Sequence, residues 1–157
     1  MPNYPQHQQR GGPGRPAGHG GFGGAGAASP PRPVVSAADA QRIIADGDAQ
    51  LLVERAQELA QAGATRTSLR RLYGEVRQIE AIWRSEARAP AAARRAVLFG
   101  PRLAYQASRD ANLREVEKAL ATLLAEVKPR ERGGEHRFRN FVDFCEALIA
   151  YAQEKKR

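Results

Sequence analysis

Arginines at 66, 70, 77, 84 and 88 fall within an arc of ~40° when projected on a helix at about 100° per residue. Arg95, Arg102 and Arg109 repeat every seven residues and fall within another arc of ~40°. A guanidinium pairs bidentately with phosphate and stacks on bases, which an ammonium does not do. The chemistry these rows point to is therefore recognition of a polyanion. A row of arginines is also what a solvated helix face looks like, and spacing by itself does not separate the two.

Other reactive side chains do not assemble into a site. His7 and His19 lie in the glycine-rich start of the chain, and His136 stands in a charged turn. No second histidine or cysteine follows His136 at ligand spacing, so no metal site is expected. Cys145 falls on an apolar helix face and reads as a small core residue. Asp143 and Glu146, three apart on one helix, could serve acid–base work. A solvated face, or an ion pair with Arg139 or a partner subunit, accounts for them better. No phosphate-binding glycine loop and no nucleophile elbow is present. The expectation is a protein that is not an enzyme and needs no cofactor.

The rows must be carried by helices. In 67–88, Leu69, Leu72, Tyr73, Val76, Ile79, Ile82 and Trp83 recur at three and four, the pattern of a helix burying one face. Thr65 or Thr67 can cap its start, and Pro90 marks its end. Gly74, costly inside a helix, is read as the place of a tight helix crossing. A second helix carries APAAARRAVLFGPRLAYQASRDA, with Val97, Pro101, Ala104, Tyr105 and Ser108 along one side and Tyr105 read as core. Phe99-Gly100-Pro101 is expected to kink or break it. Before these, Ser36 can cap a helix interrupted at Asp46-Gly47-Asp48, and a helix resumes to Gly63. After them, Leu113, Val116, Leu120, Leu123, Leu124 and Val127 form one buried face. Phe138, Phe141, Val142, Cys145, Leu148, Ile149 and Ala152 form another, flanked by Phe144 and Tyr151. Nothing alternates with period two. The fold class is all-α, a small bundle of about five helices over 36–157.

Composition agrees with this division. Residues 1–35 hold 9 of the 15 glycines and 7 of the 10 prolines without one acidic residue. Such a stretch cannot offset its ordering entropy by burial, so it reads as a disordered low-complexity tail. Arg10-Gly11-Gly12 resembles one unit of an RNA-binding Arg-Gly-Gly tract. The net charge is +8, with 21 arginines against 4 lysines, although a GC-rich genome produces the same bias. Charge is uneven: 36–64 sums to −3 and 65–110 to +6. A basic chain of this size implies an anionic partner, nucleic acid before membrane. One cysteine excludes an internal disulfide framework and fits a reducing cytoplasm. The absence of any run of 18 apolar residues argues against a transmembrane helix, and the start of the chain lacks the apolar core of a signal peptide.

Three stretches, in order, resemble one family. They are Thr67-Ser68-Leu69-Arg70-Arg71-Leu72-Tyr73-Gly74-Glu75-Val76-Arg77, Pro101-Arg102-Leu103-Ala104-Tyr105 followed by Arg109, and Phe141 to Tyr151 (FVDFCEALIAY). The family is the small, Csm-type subunit of type III-A CRISPR effector complexes. The resemblance covers about 65–151 and leaves the tail unaddressed. It implies a non-catalytic helical bundle, stacked in several copies along the ribonucleoprotein. The partners it implies are guide RNA and target RNA, mainly the target strand, together with the backbone subunit, the large subunit and copies of itself. Arg70, Arg71, Arg77, Arg102 and Arg109 are then the RNA contacts, with Arg84 and Arg95 completing the two rows. The readings that compete are a purely structural self-associating helical subunit and a generic basic RNA-binding protein.

If the tail makes few buried contacts, deleting residues 1–33 leaves the thermal midpoint of the remainder within about a degree or two. A clear drop in a melting curve would show that the tail docks.

Overall fold

The computed structural model describes Gly12, Gly14 and residues 29–153. The readings made for His7, Arg10, Gly11 and His19, and for the tail as a whole up to residue 28 apart from Gly12 and Gly14, lie outside the described residues. So do residues 154–157. The chain divides into two units, Met1–Pro30 and Pro31–Arg157, and the architecture described next is that of the second.

Among the described residues there is no strand. Helix α1 (Ala37–Ala40) runs into a π-helical turn at Gln41–Ala45. Then follow α2 (Ala49–Ala60), α3 (Arg66–Trp83), α4 (Ala89–Arg109), α5 (Arg114–Val127) and α6 (Gly134–Tyr151). The all-α expectation of about five helices is met by five helices of 12 residues or more, preceded by the short α1.

The helix starts follow from side-chain oxygens that satisfy free backbone donors. Ser36 Oγ accepts from Asp39 N–H at 3.1 Å, and Asp39 Oδ2 accepts from Ser36 N–H at 3.2 Å, a reciprocal capping box. Arg55 of α2 closes on the same carboxylate at 3.0 Å. Burial works against the Asp39 charge, but the Ser36 N–H and Arg55 outweigh it and hold the carboxyl below its usual value. Asp48 caps α2 by accepting from Leu51 N–H at 3.0 Å, and Thr65 caps α3 by accepting from Ser68 N–H at 3.3 Å.

The π turn has a tertiary consequence. Asp48 N–H bonds to Arg42 O at 3.0 Å, which leaves the Ile44 carbonyl without its usual helical donor. Asn140 Nδ2 of α6 donates to that carbonyl at 2.9 Å. A buried carbonyl left alone costs about 1–3 kcal/mol, so this bond ties the first segment to α6 at specific positions.

Helix α6 is the centre of the bundle and packs on α2, α3 and α5. Phe138, Phe141 and Phe144 are each at most 1% exposed. Phe144, expected at the flank, is as buried as the rest, while Tyr151 is 44% exposed. The ring of Trp83 (α3) lies 5.3 Å from Phe138, Phe138 5.7 Å from Phe141, and Phe141 6.0 Å from Phe99 (α4), edge to face. These aromatic contacts fasten α3 and α4 to α6. Val34 and Val35, just before Ser36, also lie against the core.

Four expectations need correction. Helix α3 ends at Trp83, not Arg88: Ser85 is extended and Glu86–Arg88 form a 3-10 turn. The chain must reverse there to lay α4 antiparallel on α3. Pro90 sits in the first turn of α4, where its missing N–H is no loss. Pro101 does not break α4, which is helical throughout. Val97 and Pro101 are both exposed, so the freed Val97 carbonyl reaches water. The third correction is the side of α4 that is buried. Ala92, Ala93, Ala96, Phe99, Leu103 and Ala107 face inward, while Val97, Pro101, Ala104, Tyr105 and Ser108 are exposed. Small alanines let α4 approach its neighbours closely, and Phe99 fills the remaining space. Finally, no helix crosses at Gly74, where an added Cβ would meet nothing within 4 Å.

Gly74→Ala is therefore expected to raise stability by about 0.5–1 kcal/mol. Gly134→Ala should lower it, because a Cβ there would stand 2.7 Å from Pro129 O. Chemical denaturation of both variants checks the pair. Asp39→Asn removes the charge paired with Arg55 and should cost up to about 1 kcal/mol at neutral pH. That difference is full above the ordinary value of 3.8. It is lost as pH falls through the lower folded value, which a denaturation series across acidic pH reads out.

Candidate nucleic-acid interface

Helices α3 and α4 lie antiparallel and are joined across their outer seam by polar side chains. Gln106 Nε2 donates to Glu75 Oε1 at 3.3 Å, and Ser68 Oγ donates to Asp110 Oδ2 at 3.1 Å. These bonds fix the register and leave a groove between the helices. At one end, a cavity of about 530 Å³ is lined by Thr67, Ser68, Arg71, Tyr105, Gln106, Arg109, Asp110 and Leu113. Further along, Arg95 and Arg102 line a shallow depression with Glu75 and Gln78.

The groove thus brings together Arg71, Arg95, Arg102 and Arg109. Arg71, Arg95 and Arg102 form no ion pair with any described residue. Arg109 Nη1 donates to Tyr105 Oη at 3.0 Å, and its guanidinium lies 5.8 Å from that ring's centroid. The two carboxylates of the groove are engaged structurally. Glu75 accepts from Gln106, while Asp110 accepts from Ser68 and caps the next turn through Asn112 N–H at 3.0 Å.

Arg70, Arg77 and Arg84 do not line that groove. They are exposed, but a helix step of about 100° places Arg70 that far around α3 from Arg71. Their edge turns towards α6. Neighbouring Tyr73 is half-buried, and its hydroxyl is pushed up by burial and by Glu146. Arg77 Nη1 pairs with Glu80 at 2.6 Å. Two members of the first row leave it. Arg66 donates from Nη2 to Ala152 O at 2.9 Å and pins the end of α6. Arg88 belongs to the 3-10 turn. The seven candidate arginines therefore stand on two edges of α3 and on α4, not on one continuous face.

Cys145 is 5% exposed, and burial pushes its thiol well above the usual range, so it packs as a core residue. Asp143 is raised by burial, then by Glu146 and Glu80. The suggested pair with Arg139 does not form, because Arg139 bonds Glu135 at 2.9 Å, one turn back on α6. Among the described residues no group of histidine, cysteine and carboxylate side chains could hold a metal, and no helix is long and apolar enough to cross a membrane.

Sequence reasoning missed Tyr105 as a surface residue. The signal was there: Ala92, Ala96, Phe99, Leu103 and Ala107 form a second apolar stripe at spacings of four, three, four and four.

The described residues thus form a small all-helical bundle with arginines lining the groove between α3 and α4. A family model described as Csm2 Type III-A matches residues 46–157, most of the chain. The protein belongs to that family, the small subunits of type III-A CRISPR complexes. Searches of curated proteins and of solved structures returned no match.

Proposed function

We propose that this chain is a non-catalytic, RNA-binding small subunit that stacks in several copies along a type III-A ribonucleoprotein in the cytoplasm, in antiviral defence. It contacts the guide–target RNA duplex, mainly the target strand, beside the backbone and large subunits. The observation that carries the reading is the groove between α3 and α4. Arg71, Arg95, Arg102 and Arg109 from two helices open there to solvent, and Arg71, Arg95 and Arg102 have no carboxylate partner among the described residues. Arg70, Arg77 and Arg84 on the other edge of α3 form a second, weaker track, because Arg77 is already committed to Glu80.

A purely structural role is the second reading. What favours it is the outer side of α4, where Val97 is 48% and Leu98 39% exposed beside Pro101 and Ala104. At about 100° per residue Val97 and Ala104 lie roughly 140–180° around α4 from Arg95 and Arg102, which border α3 beside Glu75 and Gln78, so one helix can serve both RNA and a neighbouring copy.

Phosphates on a single strand hold condensed counterions, and each one neutralised lowers the slope of log affinity against log salt by about 0.7. Fluorescence anisotropy on target RNA and on a guide–target duplex across a salt series is the test. The triple variant Arg71→Ala, Arg95→Ala, Arg102→Ala should bind more weakly, with a slope shallower by about 2 on single strands. Sequence preference should not change, since phosphate contacts carry no base information. Arg70→Ala, Arg77→Ala, Arg84→Ala should change the slope less. Slopes equal to wild type in both variants, with assembly lost, would hand the arginines to a subunit interface.

A further inference from the structure

The cavity at the Tyr105 end of the groove has features that contacts to phosphate do not require. Tyr105 is 61% exposed, the most exposed large hydrophobic among the described residues. Its ring is not loose: Arg109, one turn on, holds the hydroxyl at 3.0 Å. Opposite stand Thr67, Ser68 and Arg71 from the first turns of α3, with Gln106, Asp110 and Leu113 completing the walls. A volume of about 530 Å³ lies within the range of small-ligand sites, about 300–1,000 Å³. The lining combines one held aromatic face, two guanidiniums, an amide, two hydroxyls and the Asp110 carboxylate, which is engaged by Ser68 and by Asn112 N–H.

Those groups match one nucleotide of an RNA strand. An aromatic face accepts any base by stacking, independently of its sequence. Arginines on both sides suit the phosphates that flank an everted base. Thr67, which lines the cavity and whose hydroxyl has no carboxylate or amide partner among the described residues, offers a donor and acceptor for a ribose 2′-hydroxyl. We propose that this cavity is a nucleotide subsite, in which one unpaired base of the bound RNA stacks on Tyr105 while Arg71 and Arg109 hold its neighbouring phosphates. The inference rests on the RNA-binding reading and adds a base contact to the phosphate track.

The test uses the full-length chain and a single-stranded, uridine-rich RNA. Stacking releases no counterions, so its loss has a different signature from loss of an arginine. Tyr105→Ala should weaken binding by at least about fivefold, the lower end for loss of one stacked base, with the salt slope unchanged. Tyr105→Phe should restore most of the affinity, because the ring and not the hydroxyl makes the stack. With 5-iodouridine in the RNA, near-ultraviolet light should cross-link the strand to a peptide containing Tyr105. The exposed position predicts an unaltered melting temperature for Tyr105→Ala, which excludes unfolding as the cause. Undiminished affinity in Tyr105→Ala, or a cross-link confined to other peptides, overturns the subsite and leaves the arginine track standing. Absence of RNA binding by wild type overturns both. Loss of self-association in Tyr105→Ala with unchanged RNA affinity assigns the tyrosine to contacts between copies and overturns the subsite.

Discussion

Burial of α6 is the constraint on which the other helices depend. Its three phenylalanines are withdrawn from water, and at about 25 cal/mol per Å² of apolar surface each contributes a few kcal/mol. Because Trp83 stacks at one end of this row and Phe99 meets its middle, α3 and α4 are positioned by the same aromatic contacts. A bundle with no buried charged or polar residue among those described has little else to specify register. The exceptions are few and placed at joints: Asn140 on Ile44 O, Ser68 on Asp110, and Gln106 on Glu75.

The groove is a consequence of that arrangement. Once α3 and α4 turn their apolar faces to α6 and α5, their outer flanks meet along an antiparallel seam. Arginines on those flanks keep their heads in water while their stems cover the helices. Charge concentrates there because the acidic residues lie mostly elsewhere: 36–64 carries −3 against +6 for 65–110. A net positive field along a groove raises the local concentration of a polyanion and speeds its arrival. Membership of the Csm2 Type III-A family places the chain in a CRISPR effector complex, and the function proposed above takes that polyanion to be RNA.

The small residues on the outer surface fit the same picture. Gly74 sits on α3 between Arg70 and Arg77 with empty space where a side chain would be. Its helix tolerates it because α3 is anchored by Leu69, Leu72, Val76, Ile79 and Trp83 on the opposite side. Pro101 is tolerated in α4 for a related reason, since the carbonyl it strands is on the wet side. Pro101 costs little where it is, whereas Gly74 keeps its backbone-entropy cost of about 0.5–1 kcal/mol.

Much of the fold was legible in the chain itself. The period of the apolar residues gave the helices, Ser36 the first start, Thr65 or Thr67 that of α3, and the phenylalanines of the last segment a buried face, because these depend on spacing and local hydrogen bonding. The arginine rows were legible for the same reason. Which rows meet was not. Arg70 and Arg71 are adjacent in sequence, yet only Arg71 enters the groove, because about 100° of helix separates them. The inward side of α4 was read wrongly, because Val97-Pro101-Ala104 and Ala92-Ala96-Phe99-Leu103 are both apolar stripes and the second is the buried one. A helix carries only periodicity; the choice between two stripes is made by the shape they must fit. Phe99 meets Phe141 edge to face at 6.0 Å, the alanines allow close packing, and Tyr105 is left outside with Arg109. That decision, made by packing against α6 and α5, is what turned two rows of arginines into a groove.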